Sequence, residues 1–229
     1  NGALFVSAAY LFCPAVIINS AVWGQADSFC ALLLLWTALL LWRNHTPAAA
    51  LVYGLGVLSK PQMLIFAPML IFWVIRRRDW KNLILGPVIA LAAILVLSAP
   101  FIRDWDFTKL IDLYTGTMDY YAYYTINAYN IWALFGLNWA ALPESSVWLQ
   151  FGVPLAVLLS GILMLKAKRK EALFACPAVL MFTVYIFCVK MHERYLYPVL
   201  LSLLLTYVFT KDRRFLVSFA GTSFFHFLN

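Results

Sequence analysis

His192-Glu193-Arg194-Tyr195 brings three ionisable side chains together where a long apolar segment ends. An arginine offers a planar fork of donors that matches phosphate oxygens. A histidine donates a hydrogen bond, or carries a proton near neutral pH. Glu193 balances the charge of Arg194, and the structural alternative for the group is an ion pair between helices. Asp27 closes a second polar island, Trp23-Gly24-Gln25-Ala26-Asp27-Ser28. It is an acid able to hold a hydroxyl or a cation at the mouth of a cavity. Asp27-Ser28 ahead of an apolar run reads equally as a helix N-cap. Lys60-Pro61-Gln62 is a third island. There Lys60 is a fixed cation for a lipid phosphate, or a lysine whose stem lies along apolar surface. Pro61 is expected to end the preceding helix, so that Lys60 projects at its C-terminal edge.

The elements that position these groups are apolar. The chain has 229 residues and is 64% hydrophobic, against roughly 45–50% in an ordinary globular domain, and its mean hydropathy is +0.84. Nine apolar stretches are expected, at about 3–19, 28–42, 47–59, 63–75, 82–101, 147–165, 172–190, 196–210 and 214–228. Several fall short of the roughly 20 residues that cross a bilayer, so they borrow flanking residues or re-enter. The fold class expected is all-α, a polytopic transmembrane bundle with one long outer loop at about 102–146. Basic clusters at Arg43, Arg76 to Lys81, Lys166 to Lys170 and Lys211 to Arg214 alternate with the polar islands. They hold 12 of the 17 Lys and Arg residues. Short basic loops stay on the cytoplasmic side, so the islands share the outer or lumenal face.

The net charge of +7 is split among small loops, where it meets lipid headgroups. It forms no continuous patch for nucleic acid, which is excluded as a partner. Cys13, Cys30, Cys176 and Cys188 show no C-x-x-C spacing and read as small core residues. Asn44-His45-Thr46 matches a glycosylation sequon but falls on the inner side and is followed by Pro47, so it is discounted. No Gly-rich phosphate loop and no metal-ligand spacing is visible, and no cofactor is expected.

The long loop mixes Asp104, Asp106, Asp112 and Asp119 with Trp105, Tyr114, Tyr120, Tyr121, Tyr123, Tyr124 and Tyr129. Phe107-Leu110-Ile111-Leu113-Tyr114 has helical spacing and is expected to lie flat on a membrane. Aromatic faces backed by carboxylates and amides suit a sugar, which shows C–H bonds on one face and hydroxyls around its rim. The plainer reading of any one tyrosine is an interfacial anchor.

Taken in order, Trp23-Gly24-Gln25-Ala26-Asp27, Ser59-Lys60-Pro61-Gln62, Asn127-Ala128-Tyr129-Asn130-Ile131-Trp132 and His192-Glu193-Arg194-Tyr195 resemble the GT-C superfamily of polytopic glycosyltransferases. Within it, the likeness is to bacterial relatives of the GPI-anchor second mannosyltransferase. The resemblance implies a single transmembrane domain over 1–229. It implies transfer of a hexose, mannose by family likeness, from a polyprenyl- or dolichyl-phosphate carrier to a glycan, lipid or protein acceptor, with inversion. The lipid-linked donor is a substrate, not a cofactor. By this analogy Arg194, His192 and Lys60 handle phosphate, and Asp27 the acceptor or sugar. Trp23, Gln25, Gln62, Asn127, Asn130, Trp132, Glu193 and Tyr195 would line the pocket. The family's principal carboxylate follows its first span, so the chain is expected to be a piece of a longer one that carries it. A bacterial plasma membrane is expected rather than the endoplasmic reticulum.

Two rival readings use the same residues. A transporter or flippase of a lipid-linked sugar would leave the sugar–phosphate bond intact. A non-catalytic membrane subunit would lack the upstream carboxylate.

Overall fold

A computed structural model describes residues 2–228, with the side chains of 118 and 119 set aside; Asp119, named above among the loop acids, lies outside the described side chains. The described chain is predominantly helical. It opens with α1 (Gly2–Leu11) and α2 (Pro14–Ile17), which continues into a π-helical turn, Ile18–Val22. Then come α3 (Asp27–Trp42), α4 (Thr46–Ser59), α5 (Ala67–Arg77) and α6 (Trp80–Ser98). The loop region holds α7 (Thr108–Asp119), the short strand β1 (Thr125–Ile126) and α8 (Ile131–Leu134). Next are α9 (Gly152–Lys166), α10 (Ala172–Phe187), the strand β2 (Met191–His192), α11 (Tyr197–Thr210) and α12 (Arg213–Leu228).

Helix breaks follow local chemistry. Lys60 precedes Pro61, whose ring disfavours helical geometry one residue back. Lys60 is accordingly extended (φ −155°, ψ 119°) and ends α4, and a 3-10 turn, Pro61–Phe66, leads into α5. Asp27 differs from expectation: it is the first residue of α3, Ala26 is the cap, and no side chain caps this helix. The carboxylate is engaged elsewhere.

Among the described residues two helical segments are long and apolar enough to cross a membrane, Trp80–Phe101 and Val147–Lys166, and the bent pair Gly2–Leu11 and Pro14–Val22, hinged by 59°, makes a third when counted as one span. The apolar helices Asp27–Trp42, Thr46–Ser59 and Ala172–Phe187 are shorter. The outward faces are themselves apolar. Ile84 is 75% exposed and Val96 70% on α6, and Leu158, Ile162 and Leu165 are exposed on α9. A water-soluble fold would have to hide such a surface.

The core centres on α10 and α11, where Leu173, Cys176, Met181, Tyr197, Leu200 and Leu204 are buried. The pairs α3 with α4, α4 with α6, α9 with α10, and α11 with both α3 and α12 pack against one another. Helices α4 and α6 approach closely, because a Cβ on Gly54 would stand 2.7 Å from the carbonyl oxygen of Ala90. Close backbone contact through small residues is how helices associate in lipid. All four cysteines are buried and unpaired, as small core residues.

The two sets of polar segments separate to opposite ends of the long helices. At one end Lys170 sits 4.0 Å from the ring of Trp42. There Arg76 donates to the carbonyls of Met164 (2.9 Å) and Ala167 (2.8 Å). At the other end Trp23, Asp27, Lys60, Gln62, Arg194 and Tyr195 meet.

Candidate active site

Asp27 is 2% exposed. One carboxylate oxygen pairs with the ammonium of Lys60, and the other accepts a 3.3 Å bond from the Asn19 side chain. Asn19 lies in the π-helical turn before the first island, and its side-chain oxygen Oδ1 is buried without a partner. Such turns are rare and cluster at functional sites. Lys60 is therefore neither a free cation nor a lysine lying along apolar surface. Its ammonium points inward to Asp27 and stands 5.6 Å from the ring of Tyr195.

Arg194 and Glu193 lie in a 3-10 turn, Glu193–Leu196, that joins β2 to α11. Their side chains pair at 3.5 Å. The guanidinium lies 5.9 Å from the ring of Trp23 and 6.0 Å from that of Tyr195, so the Lys60 and Arg194 cations flank one aromatic ring. Arg194 Nε and Glu193 Oε2 are buried without partners. Such unmade bonds are costly, and they leave this pair with donor and acceptor capacity for a ligand. Burial raises the Glu193 carboxyl above the ordinary glutamate range, against the lowering pull of its own backbone amide and of Arg194.

His192 is 4% exposed. Its ring meets Tyr121 edge-on at 4.7 Å and Tyr195 at 5.1 Å. Burial, with the positive charges of Arg194 and Lys60 behind it, lowers its pKa to about 4. At neutral pH the imidazole is uncharged, so it acts as a hydrogen-bond donor or acceptor and not as a cation.

The long loop is tied to this end by a small sheet. β1 pairs in parallel with β2, Thr125 opposite Met191 and Ile126 opposite His192. Asn127 adds a bridge to His192. Asn127 takes a left-handed conformation (φ 53°), which asparagine tolerates better than most residues. Its side-chain oxygen accepts from Trp139 (2.9 Å) and Asn138 (3.3 Å). Asn130 caps α8 by accepting from the amides of Trp132 and Ala133, and it reaches the Cys188 carbonyl at 3.5 Å. Trp132 donates to the Phe187 carbonyl at 3.2 Å. Asn130 and Trp132 bind the loop to the end of α10, while Asn127 ties residues 138 and 139 within the loop and bridges to His192. α7 forms as expected and exposes Ile111 and Leu113, while Tyr114 donates to the Val57 carbonyl at 2.8 Å.

Gln62 turns away from open space and donates to the Tyr195 carbonyl at 3.5 Å and to Met181 Sδ at 3.7 Å. Gln25 joins the first island through its backbone amide, which donates to the Asn19 carbonyl at 3.0 Å. Sequence reasoning passed over Asn19 and His226. Asn19 and His226 are polar residues inside apolar stretches, and that anomaly was the available signal. Among the described residues no cluster of His, Cys, Asp and Glu stands as metal ligands would.

Two cations, two carboxylates, an imidazole and clustered aromatic rings at one end of an apolar bundle suit an anionic, hydroxyl-bearing ligand. In comparison with known proteins, the family model described as glycosyltransferase family 87 matches residues 2–189. That segment holds Asp27, Lys60 and Asn130 and stops just short of His192. No curated protein and no solved structure matches the chain.

Proposed function

The chain belongs to glycosyltransferase family 87, a family of membrane glycosyltransferases, and from that premise we propose that it transfers a hexose, mannose by family resemblance, from a polyprenyl-phosphate carrier to an acceptor at the outer or lumenal face. The observation that carries this reading is the clustering of Lys60 and Arg194 about Tyr195, with Asp27 and Glu193 as their partners. Each cation of the site is paired with a carboxylate of the same chain. A phosphate takes the place of those carboxylates on the two cations.

The reaction breaks the bond between the anomeric carbon and the phosphate oxygen. The acceptor hydroxyl attacks that carbon from the opposite face and gives its proton to a carboxylate acting as general base. The carrier leaves as polyprenyl phosphate, its charge held by Arg194 and Lys60. His192, uncharged, donates a hydrogen bond to a phosphate oxygen. Asp27, released by Lys60, receives a hydroxyl of acceptor or sugar. The Tyr195 and Trp23 rings wall the site, and Asn127, Asn130 and Trp132 shape the loop beside it. The bundle is polytopic in this reading, the shorter helices crossing with the help of flanking turns such as Pro61–Phe66, and a bacterial plasma membrane is the setting.

The test uses the full-length protein in liposomes with radiolabelled polyprenyl-phosphate mannose and a panel of acceptors. Release of polyprenyl phosphate with labelled product is expected, and Arg194→Ala should reduce it at least 100-fold, the usual order for loss of one charge-stabilising donor. Wild-type release by Arg194→Ala overturns the phosphate role. Donor carried across the bilayer with its sugar–phosphate bond intact identifies a transporter instead.

A further inference from the structure

Trp139, in the long loop, takes a left-handed backbone conformation (φ 59°). That region is uncommon for a bulky residue, and residues held there cluster at ligand sites. Three contacts hold this one. Its backbone amide donates to the Thr125 carbonyl at 2.9 Å. Its indole N–H donates to the Asn127 side chain at 2.9 Å. The ring of Tyr123 meets it at 5.3 Å, close to edge-on. The indole is thus fixed in place, yet the residue is 49% exposed.

Two exposed asparagines stand beside the ring. Asn138 donates one amide hydrogen to Asn127 Oδ1 at 3.3 Å, and its own oxygen accepts from the Asn127 backbone amide at 2.8 Å. Among the described residues the second hydrogen of the Asn138 amide and both of the Asn127 amide have no partner.

Backbone bonds tie this patch to the charged cluster. Tyr124 donates to the Ala140 carbonyl and Leu142 to the Ala122 carbonyl, both at 2.9 Å, so residues 138–142 run beside 122–125. Thr125 bridges to Asn138 and pairs with Met191 in β2, next to His192. Neighbouring strands lie about 4.8 Å apart, so the backbone at Asn138 stands within about 10 Å of that at Met191. A short oligosaccharide spans such a reach.

A membrane anchor would be built otherwise. An interfacial tryptophan buries its ring and offers its N–H to the wet side. Here the N–H is spent on Asn127, and the exposed neighbours are amides. A fixed aromatic ring beside free amide hydrogens suits a pyranose, whose C–H face lies on the ring while its hydroxyls meet the amides. A ring already held in place loses little freedom on binding.

We propose that Trp139, Asn127 and Asn138 form a second sugar-binding site, which holds a hexose of the acceptor glycan some sugars away from the hydroxyl that reacts. Asn127, assigned to the pocket by resemblance, then acts at this second site. The acceptor role rests on the transferase reading, and the test separates the two.

The experiment is saturation-transfer NMR on the full-length protein in nanodiscs, with methyl α-mannoside, methyl α-glucoside and methyl α-galactoside as probes. Transfer to the C–H protons of at least one sugar is expected. Trp139→Ala should weaken its Kd about tenfold, the scale of one aromatic contact. Trp139→Phe, which keeps a ring face, should recover most of the loss, and Arg194→Ala should bind the sugar as wild type does. Where Trp139→Ala does not fold, Asn138→Ala removes the amide alone and should weaken binding severalfold. No transfer to any of the sugars overturns the site. Unchanged binding in the folded Trp139 or Asn138 variant also overturns it, and leaves Trp139 an interfacial anchor. An equal loss in Arg194→Ala overturns it too, since the sugar then sits in the charged cluster. Binding that depends on Trp139, in a protein that releases no polyprenyl phosphate, leaves the sugar site standing and overturns the transferase reading alone.

Discussion

Replacing Lys60 by methionine removes the ammonium from Asp27 and leaves the stem in place. The carboxylate, 3% exposed at its side chain, then keeps only the 3.3 Å bond from Asn19. Breaking one partner from a buried ion pair costs about 3–5 kcal/mol, because the remaining charge is desolvated without compensation. The Lys60 side chain is 24% exposed, so water reaches that side of the pair and the loss belongs near about 3 kcal/mol. For a chain of this size that corresponds to a melting-temperature fall of about 6–12 °C. Asp27→Asn should cost less, since a quarter-exposed ammonium can turn to water. The double variant, with both charges gone, should lie within about 1 kcal/mol of wild type. The assay is thermal unfolding of the four proteins in one detergent, read as a double-mutant cycle. A double variant no more stable than Lys60→Met refutes the reasoning, for it would mean that the lysine stem and not the charge is what α4 needs.

Two further outcomes follow from the structure. His192 binds its proton less readily folded than unfolded, with a pKa of about 4 against the usual 6.5, so the unfolded chain takes up more protons between those values. Stability should therefore fall as pH drops from about 6.5 to about 4, by up to about 3 kcal/mol, and level off below; melting curves at pH 7 and pH 5 should differ in the wild type and converge in His192→Gln. At the α4–α6 contact, Gly54→Ala drives a methyl into the Ala90 carbonyl and should cost about 1–3 kcal/mol, whereas Gly86→Ala meets Ala50 Cβ at an ordinary 3.8 Å and should be close to neutral; equal melting temperatures for the two variants would contradict the packing.

The layout of the chain was legible where composition changes abruptly. The islands at Asp27, Lys60 and His192–Tyr195 fall at helix junctions on one end, and the break at Lys60 follows from Pro61 alone. Pairing was not legible. Asp27 and Lys60 each had a sound local explanation, a cap for one and a long stem on apolar surface for the other, and nothing in a linear sequence joins residues 33 apart. The strands β1 and β2 are two residues each, too short to leave an alternating pattern. His192 drew attention as a group able to carry a proton, but its charge state depends on burial under Tyr121 and beside Arg194, which only tertiary packing supplies. His226 lay unnoticed in an apolar stretch because the ring it meets, Tyr197, comes from another helix.

The Asp27–Lys60 pair also bears on how the chain is made. An isolated Asp or Lys on a helix opposes insertion into a membrane, by about 2.5–3.5 kcal/mol at the helix centre and by less toward its ends. The two residues stand at the facing ends of consecutive helices, α3 and α4, so the hairpin can meet a bilayer with those charges already cancelled. In the polytopic reading proposed above, α3 and α4 then enter the membrane as one unit, and the contact that neutralises Lys60 in the finished protein also makes this hairpin a single step in its biogenesis.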